Sequence, residues 1–142
     1  MRTFTLAILV TLLQTSCVKP REILQVPYDS TQSQDSWQKA VLFVQSNGYP
    51  ITLIDKSSGV LTTDWLEPAS SEVGILDTRE RVSITVSHAG RLIVNVTFQC
   101  RDRVNAFGRF FVCRPDLAEA RQLMIARSIL GEDAELPVLQ RD

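Results

Sequence analysis

Few side chains in this 142-residue chain could do acid–base or nucleophilic chemistry. There is one histidine, His88, and there are three cysteines, Cys17, Cys100 and Cys113. A nucleophile–histidine pair needs an orienting partner and a pocket around it. His88 lies in Ser87-His88-Ala89-Gly90, between two alternating segments, and so reads as a residue of a hairpin tip. Asp55 and Asp64 flank another hairpin, while Asp29, Asp35, Glu67 and Glu72 fall in loops. None makes the spaced carboxylate pair that glycoside hydrolysis requires. A periplasmic hydrolase using Asp55, Asp64 or His88 is therefore the weaker alternative to a non-enzymatic protein. Phosphate-cradling glycine loops and paired histidines at helical spacing are missing. One histidine cannot supply a multi-histidine metal site, three cysteines are too few for a zinc ribbon, and no third or fourth ligand lies near Cys100 and Cys113, so neither metal nor cofactor is expected.

The aromatic residues offer binding chemistry instead. Trp37, Trp65, Phe107, Phe110 and Phe111 read first as core, because large rings dominate burial. Trp65 sits at a strand end. Together with Tyr28 and Phe107 it is a candidate for an interaction surface. Fifteen basic and 16 acidic side chains leave a formal charge of −1. That balance argues against nucleic-acid binding, which needs a basic stripe. It also argues against attraction to anionic lipid by overall charge. A chain that is 44% hydrophobic and 22% charged is that of a globular protein.

The elements that must position these residues follow from periodicity. A helix is predicted with Asp35 or Ser33 as its N-cap, Trp37, Ala40, Val41 and Val44 on one face and Asn47-Gly48 as its stop. Ile51-Thr52-Leu53-Ile54 and residues 60–65 form a predicted hairpin around Asp55-Lys56-Ser57-Ser58-Gly59. A second hairpin follows: Val82, Ile84 and Val86 alternate with polar residues, as do Leu92, Val94, Val96 and Phe98. Residues 99–115 admit either a short fifth strand or an aromatic loop. A second helix starts near Pro115-Asp116 and stops at Gly131, with Leu117, Ala120, Met124 and Ala126 or Arg127 on one predicted face, widened by Leu123, Ile125, Ile129 and Leu130 into a well-buried helix. The order implies a two-layer α+β domain: an antiparallel sheet of two hairpins packed against two helices. Its expected limits are 35–131, followed by a loose tail over 132–142.

The N-terminus is organised differently. Arg2 precedes an uncharged apolar run over residues 4–13, the length of a secretory apolar region and too short to span a bilayer. Thr15-Ser16-Cys17 closes it, so residues 4–17 resemble a bacterial lipoprotein signal ending in the cysteine that is acylated. That resemblance implies a signal peptide over 1–16 and a lipidated mature N-terminus at Cys17. Val18 is not the aspartate of inner-membrane retention, so it also implies the periplasmic side of an outer membrane. Residues 17–34 read as a flexible tether. Within it, Ile23, Leu24, Val26 and Tyr28 are either a docking segment or incidental. With Cys17 acylated, Cys100 and Cys113 form an even pair in an oxidising compartment, and a disulfide competes there with two free thiols.

Residues 37–65 carry a second resemblance. A helix from Trp37 ends in Asn47-Gly48-Tyr49, Ile51 to Asp55 follows, and then comes Ser57-Ser58-Gly59-Val60-Leu61-Thr62-Thr63-Asp64-Trp65. This is similar to the helix-grip domains of BamC (NlpB)-type outer-membrane lipoproteins, in which a strand of the form Gly-apolar-apolar-Thr-x-x-Trp follows such a turn. The resemblance covers about residues 35–130. It implies an accessory subunit of an envelope protein complex, possessing one such domain where BamC has two. A structural lipoprotein of a secretion or conjugation apparatus, and a small-ligand or lipid binder using the groove between helices and sheet, are the alternatives.

Overall fold

The computed structural model describes residues 23–67, 76–102 and 108–136. The predicted lipidation site Cys17, the signal segment 1–16 and Phe107 lie outside the described residues. Two helices cover one face of an antiparallel sheet that has six strands among the described residues. The strands are β1 (Leu24–Pro27), β2 (Ile51–Asp55), β3 (Val60–Thr63), β4 (Leu76–Ser87), β5 (Arg91–Asp102) and β6 (Phe111–Val112). They run in the order β1-β5-β4-β3-β2, and β6 also pairs with β5. The helices are α1 (Ser33–Ser46) and α2 (Pro115–Leu130).

The alternation in β4 and β5 explains the layering. Side chains two residues apart share a face, so Val82, Ile84, Val86, Leu92, Val94 and Val96 all point under the helices, each no more than 1% exposed. Ser83, Thr85, Asn95 and Thr97 occupy the opposite face. From α1, Trp37, Ala40 and Val44 meet this apolar layer. From α2, Ala118, Ile125, Ala126 and Ile129 do so.

Of the expected broad face of α2, Ile125 and Ile129 are buried and another part lies open. Leu117 and Met124 are each 39% exposed, and Ala120 is exposed as well. The buried stripe instead runs Ala118, Gln122, Ile125 and Ile129, a spacing of three and four. The helix ends match the predicted chemistry: Pro115 in the first turn, Asp116 beside the N-terminal dipole, and Gly131 at φ 102° closing the last turn.

The folded unit starts earlier than residue 35. Leu24 and Val26 are 5% and 1% exposed, and β1 pairs with β5 through Leu24↔Val94 and Val26↔Leu92. Those apolar residues of the supposed tether close one edge of the sheet, because each alternate side chain reaches the core. Neither Asp35 nor Ser33 caps α1. Asp29 accepts from the Thr31 N–H (2.9 Å) to fix a single 3-10 turn, Ser30–Gln32, that leads straight into the helix. Asp35 pairs instead with Lys39 at 2.7 Å, one helical turn on. At the other end of the chain, Leu136 packs against the core, so the first part of the tail is docked.

Residues 99–115 resolve into strand and helix start. β5 continues to Asp102, and β6 pairs with it through Gln99↔Val112 and Cys100↔Phe111. Cys100 and Cys113 are disulfide-bonded, with Cα atoms 5.7 Å apart. The bond ties the sheet to the start of α2, two residues from Pro115.

Candidate functional site

The residues with the most obvious chemical potential do not assemble. Asp55 and Asp64 stand at opposite ends of the β2–β3 hairpin, since Asp55 pairs with Val60 while Asp64 follows Thr63. Asp55 accepts from Ser57 Oγ (2.6 Å), Ser58 Oγ (2.7 Å) and the Ser57 N–H (2.9 Å). These bonds, the Ser57 and Ser58 hydroxyls foremost, hold its pKa down to about 2. It is a turn-closing carboxylate that does not exchange protons at neutral pH. Asp64 accepts from the Trp65 N–H at 2.8 Å. His88 is exposed in the β4–β5 turn. Tyr28 donates to the Ser87 carbonyl (2.7 Å), and its N–H bonds Gly90 (2.9 Å), which fastens the chain before α1 to that same turn. Among the described residues no three His, Cys, Asp or Glu side chains stand close enough to hold a metal.

The opposite end of the sheet carries two constructed features. On the helix side, a groove of about 440 Å³ opens between α2 and strands β4 and β5. Leu66, Phe98, Leu117, Ala120 and Met124 line it, and the last three form the open part of the apolar face of α2. Glu80 of β4 and Arg121 of α2 supply polar wall, and the buried Tyr49, from the segment between α1 and β2, bonds both. Tyr49 donates to Glu80 Oε1, and Arg121 Nη2 donates to the Tyr49 hydroxyl (3.0 Å) and to Glu80 (3.4 Å). Burial, with Tyr49 at 4% exposure, and the bond to Glu80 push the Tyr49 pKa up to about 12 against the pull of Arg121. The cluster is therefore a fixed network of one cation, one anion and one neutral hydroxyl. Such a groove holds apolar matter along its length and one hydrogen-bonding group at its wall.

On the uncovered side, Trp65 is not isolated. The guanidiniums of Arg79 and Arg81 lie 4.5 and 4.8 Å from its ring centre. Arg79 also stacks on Phe110 (3.7 Å), and Arg101 covers the same ring at 4.7 Å. The result is an alternating ladder: Arg81, Trp65, Arg79, Phe110, Arg101. Antiparallel register produces it, for Arg79, Arg81 and Arg101 share the open face and Arg79 sits opposite Gln99. Gln99 Oε1 accepts two bonds from Arg79, at 2.7 and 3.0 Å, and Arg101 donates to Asp77 at 3.0 Å.

Of the proposed surface residues, the structure thus places Trp65 in a surface array and Tyr28 in a structural bond at the other end. The arginines, Phe110 and the Tyr49–Glu80–Arg121 cluster escaped sequence reasoning. The available signal was the spacing of Arg79 and Arg81, which puts two like charges on one strand face. No helix among the described residues is long and apolar enough to cross a membrane. No protein-family model matches the chain, and no curated protein sequence matches it.

Proposed function

We propose that this chain is a non-enzymatic binding module of the bacterial envelope. It is anchored in the outer membrane through acyl chains on Cys17, faces the periplasm, and serves as an accessory subunit of an envelope protein complex. The observation that carries this reading is the surface groove beneath α2. Its apolar walls and pre-bonded Tyr49–Glu80–Arg121 cluster suit recognition, whereas the carboxylates and the histidine are dispersed or committed to turns. The BamC-type resemblance of residues 37–65 and the lipoprotein-like residues 4–17 support the same compartment and role.

The groove also favours a second reading, a small apolar ligand or lipid. Its volume falls within the roughly 300–1,000 Å³ usual for ligand sites. A photo-crosslinking side chain at Met124, which lines the groove and is exposed, tests both. Used in cells, with the same group at Leu42 of α1 as control, it is expected to trap one discrete envelope protein from Met124 and not from Leu42. Trapping of lipid alone establishes the second reading. Equal labelling from both positions removes the groove as the site. Mass spectrometry of the isolated protein, expected to show acylation at Cys17, tests the anchor.

A further inference from the structure

We infer that the groove beneath α2 seats an amphipathic helix of the partner protein, laid along α2 in line with α1 and presenting an uncharged stripe. The inference rests on the reading of the groove given above and adds the form and chemistry of what fills it.

Three observations carry it. The first is a gap in the helix layer. The 12 residues of β4 span about 40 Å, whereas the 14 residues of α1 span about 21 Å. α1 starts at the turn end, where Ser33 and Trp37 line one crevice with Val86 and His88. Its exit is level with Glu80, since Tyr49 bonds that residue. The helix-side surface of β4 beyond Glu80 is left to the groove, with Thr78 and Phe98 in its lining. A helix seated there continues the row that α1 begins.

The second observation is the open stripe on α2. Leu117, Ala120 and Met124 fall at i, i+3 and i+7, the spacing by which one helix packs on another. Leu117 and Met124 remain 39% exposed, so the groove is open along α2. Ala120 between them is small enough for two helix axes to come close. A ligand site encloses most of its ligand, and an acyl chain in so open a groove would keep one side in water. A helix brings its own polar face to that side. An extended peptide fits less well. Each of its residues adds an N–H and a C=O that need partners, whereas a helix bonds them within itself.

The third is charge. Glu80 and Arg121 both line the groove, and their charges cancel in one ion pair. Glu80 Oε1 takes the bonds from Tyr49 and Arg121, and Oε2 accepts from no described residue. Arg121 Nη1 meets only the Met124 sulfur among the described residues, at 3.4 Å, and a thioether is a weak acceptor. The wall thus offers one acceptor and one donor. A carboxamide of Asn or Gln matches both. An acidic side chain would meet Glu80, and a basic one Arg121, as a like charge.

Leu117 and Met124 are seven residues apart on α2, about 10.5 Å along its axis. A photo-crosslinking side chain is placed at each in turn in the full-length chain in cells, and the trapped residue is mapped by mass spectrometry. A helix lying along α2 is expected to be trapped at two sites about seven residues apart, with no charged side chain on the stripe between them. Ala120→Glu, at an exposed position, puts an unpaired carboxylate into the contact and is expected to lower both yields about ten-fold. Trapped sites about three residues apart identify an extended segment. That spacing, a charged stripe, or yields unchanged by Ala120→Glu overturns the inference and leaves the groove as a partner site. Lipid alone at both positions overturns the helix and establishes the second reading. Labelling equal to that from Leu42 overturns the inference and the groove together.

Discussion

The two ends of the sheet use polar residues in opposite ways. At the turn end, the polar groups hold turns. Asp55 closes the turn that follows it, and Tyr28 holds the Ser87–Gly90 turn. At the disulfide end, the partners come from distant parts of the chain. Tyr49, Glu80 and Arg121 are brought together from α1's exit, β4 and α2, and the ladder draws on residues 65, 79, 81, 101 and 110. Polar groups committed to a turn hold the reversal of the chain. Side chains bonded or stacked on one another from separate elements make surfaces able to recognise something. The difference teaches that chemical potency of a residue type is a poor guide to site location here. His88 and Asp55 are the residue types most often used in acid–base chemistry, and they sit at the end that does no more than reverse the chain.

Substitutions can break this contrast, and the largest effect is expected at the turn end. Gly59 has φ +69°, and a Cβ there would run into the Val86 carbonyl, while its own carbonyl accepts from the Val86 N–H at 2.8 Å. Left-handed strain and a forced backbone shift together make Gly59→Ala cost about 3–4 kcal/mol, read as a lowered urea midpoint. Close behind comes removal of the Cys100–Cys113 bond, which closes a loop of sequence separation 13. Changing both cysteines to serine is expected to cost about 3 kcal/mol on the loop-entropy account. Because the bond joins β5 to the start of α2, amide exchange is expected to rise first in β6 and the first turn of α2. Uniform exchange across the sheet would show that the two ends are not independent.

Tyr49→Phe probes the disulfide end at smaller magnitude. It leaves Glu80 and Arg121 without their shared hydroxyl in a half-buried site, at an expected cost of about 2 kcal/mol. The sign with pH follows from the raised pKa. The unfolded chain releases the tyrosine proton near pH 10 and the folded one near 12, so the folded state binds more protons in between. Stability supplied by the neutral phenol is complete below pH 10 and declines as pH rises toward 12. Equilibrium urea unfolding of the natural protein is expected to weaken over that window, and of Tyr49→Phe to weaken less.

Much of the scaffold was legible in residue order. Alternation in 82–86 and 92–98 identified the sheet's covered face, and Gly48 and Gly131 marked both helix ends, because these signals depend on neighbours within a few residues. Which part of the broad apolar face of α2 is covered was not legible. Leu117 and Met124 are as apolar as the residues that are buried, and only the position of β5 decides which stripe of the helix meets the sheet. Leu24 and Val26 were legible as a segment able to dock, and the structure docks them on this domain; that they form a strand was not legible, because four residues need β5 as their template. Of the candidate surface, Trp65 and the cysteine pair could be picked out by type. The ladder around Trp65 depends on the register of β4 against β5 and on the return of the chain at Phe110, which no local pattern encodes.

The smallest expected effect concerns Asp55, and it tests whether the turn end is purely structural. Its folded pKa of about 2 lies below the ordinary carboxylate value, because the Ser57 and Ser58 hydroxyls and N–H groups bond the charged form. A depressed folded pKa means that the unfolded chain takes up the proton first as pH falls. The stability that ionised Asp55 contributes is thus whole above about pH 4 and is lost as pH falls toward 2. Urea midpoints of the natural chain and Asp55→Asn are expected to differ at pH 6 and to converge near pH 2. Met124 crosslinking is expected to be the same in both proteins at neutral pH. An Asp55→Asn chain that keeps its midpoint yet loses that crosslink would place a functional group at the turn end and dissolve the contrast between the two ends.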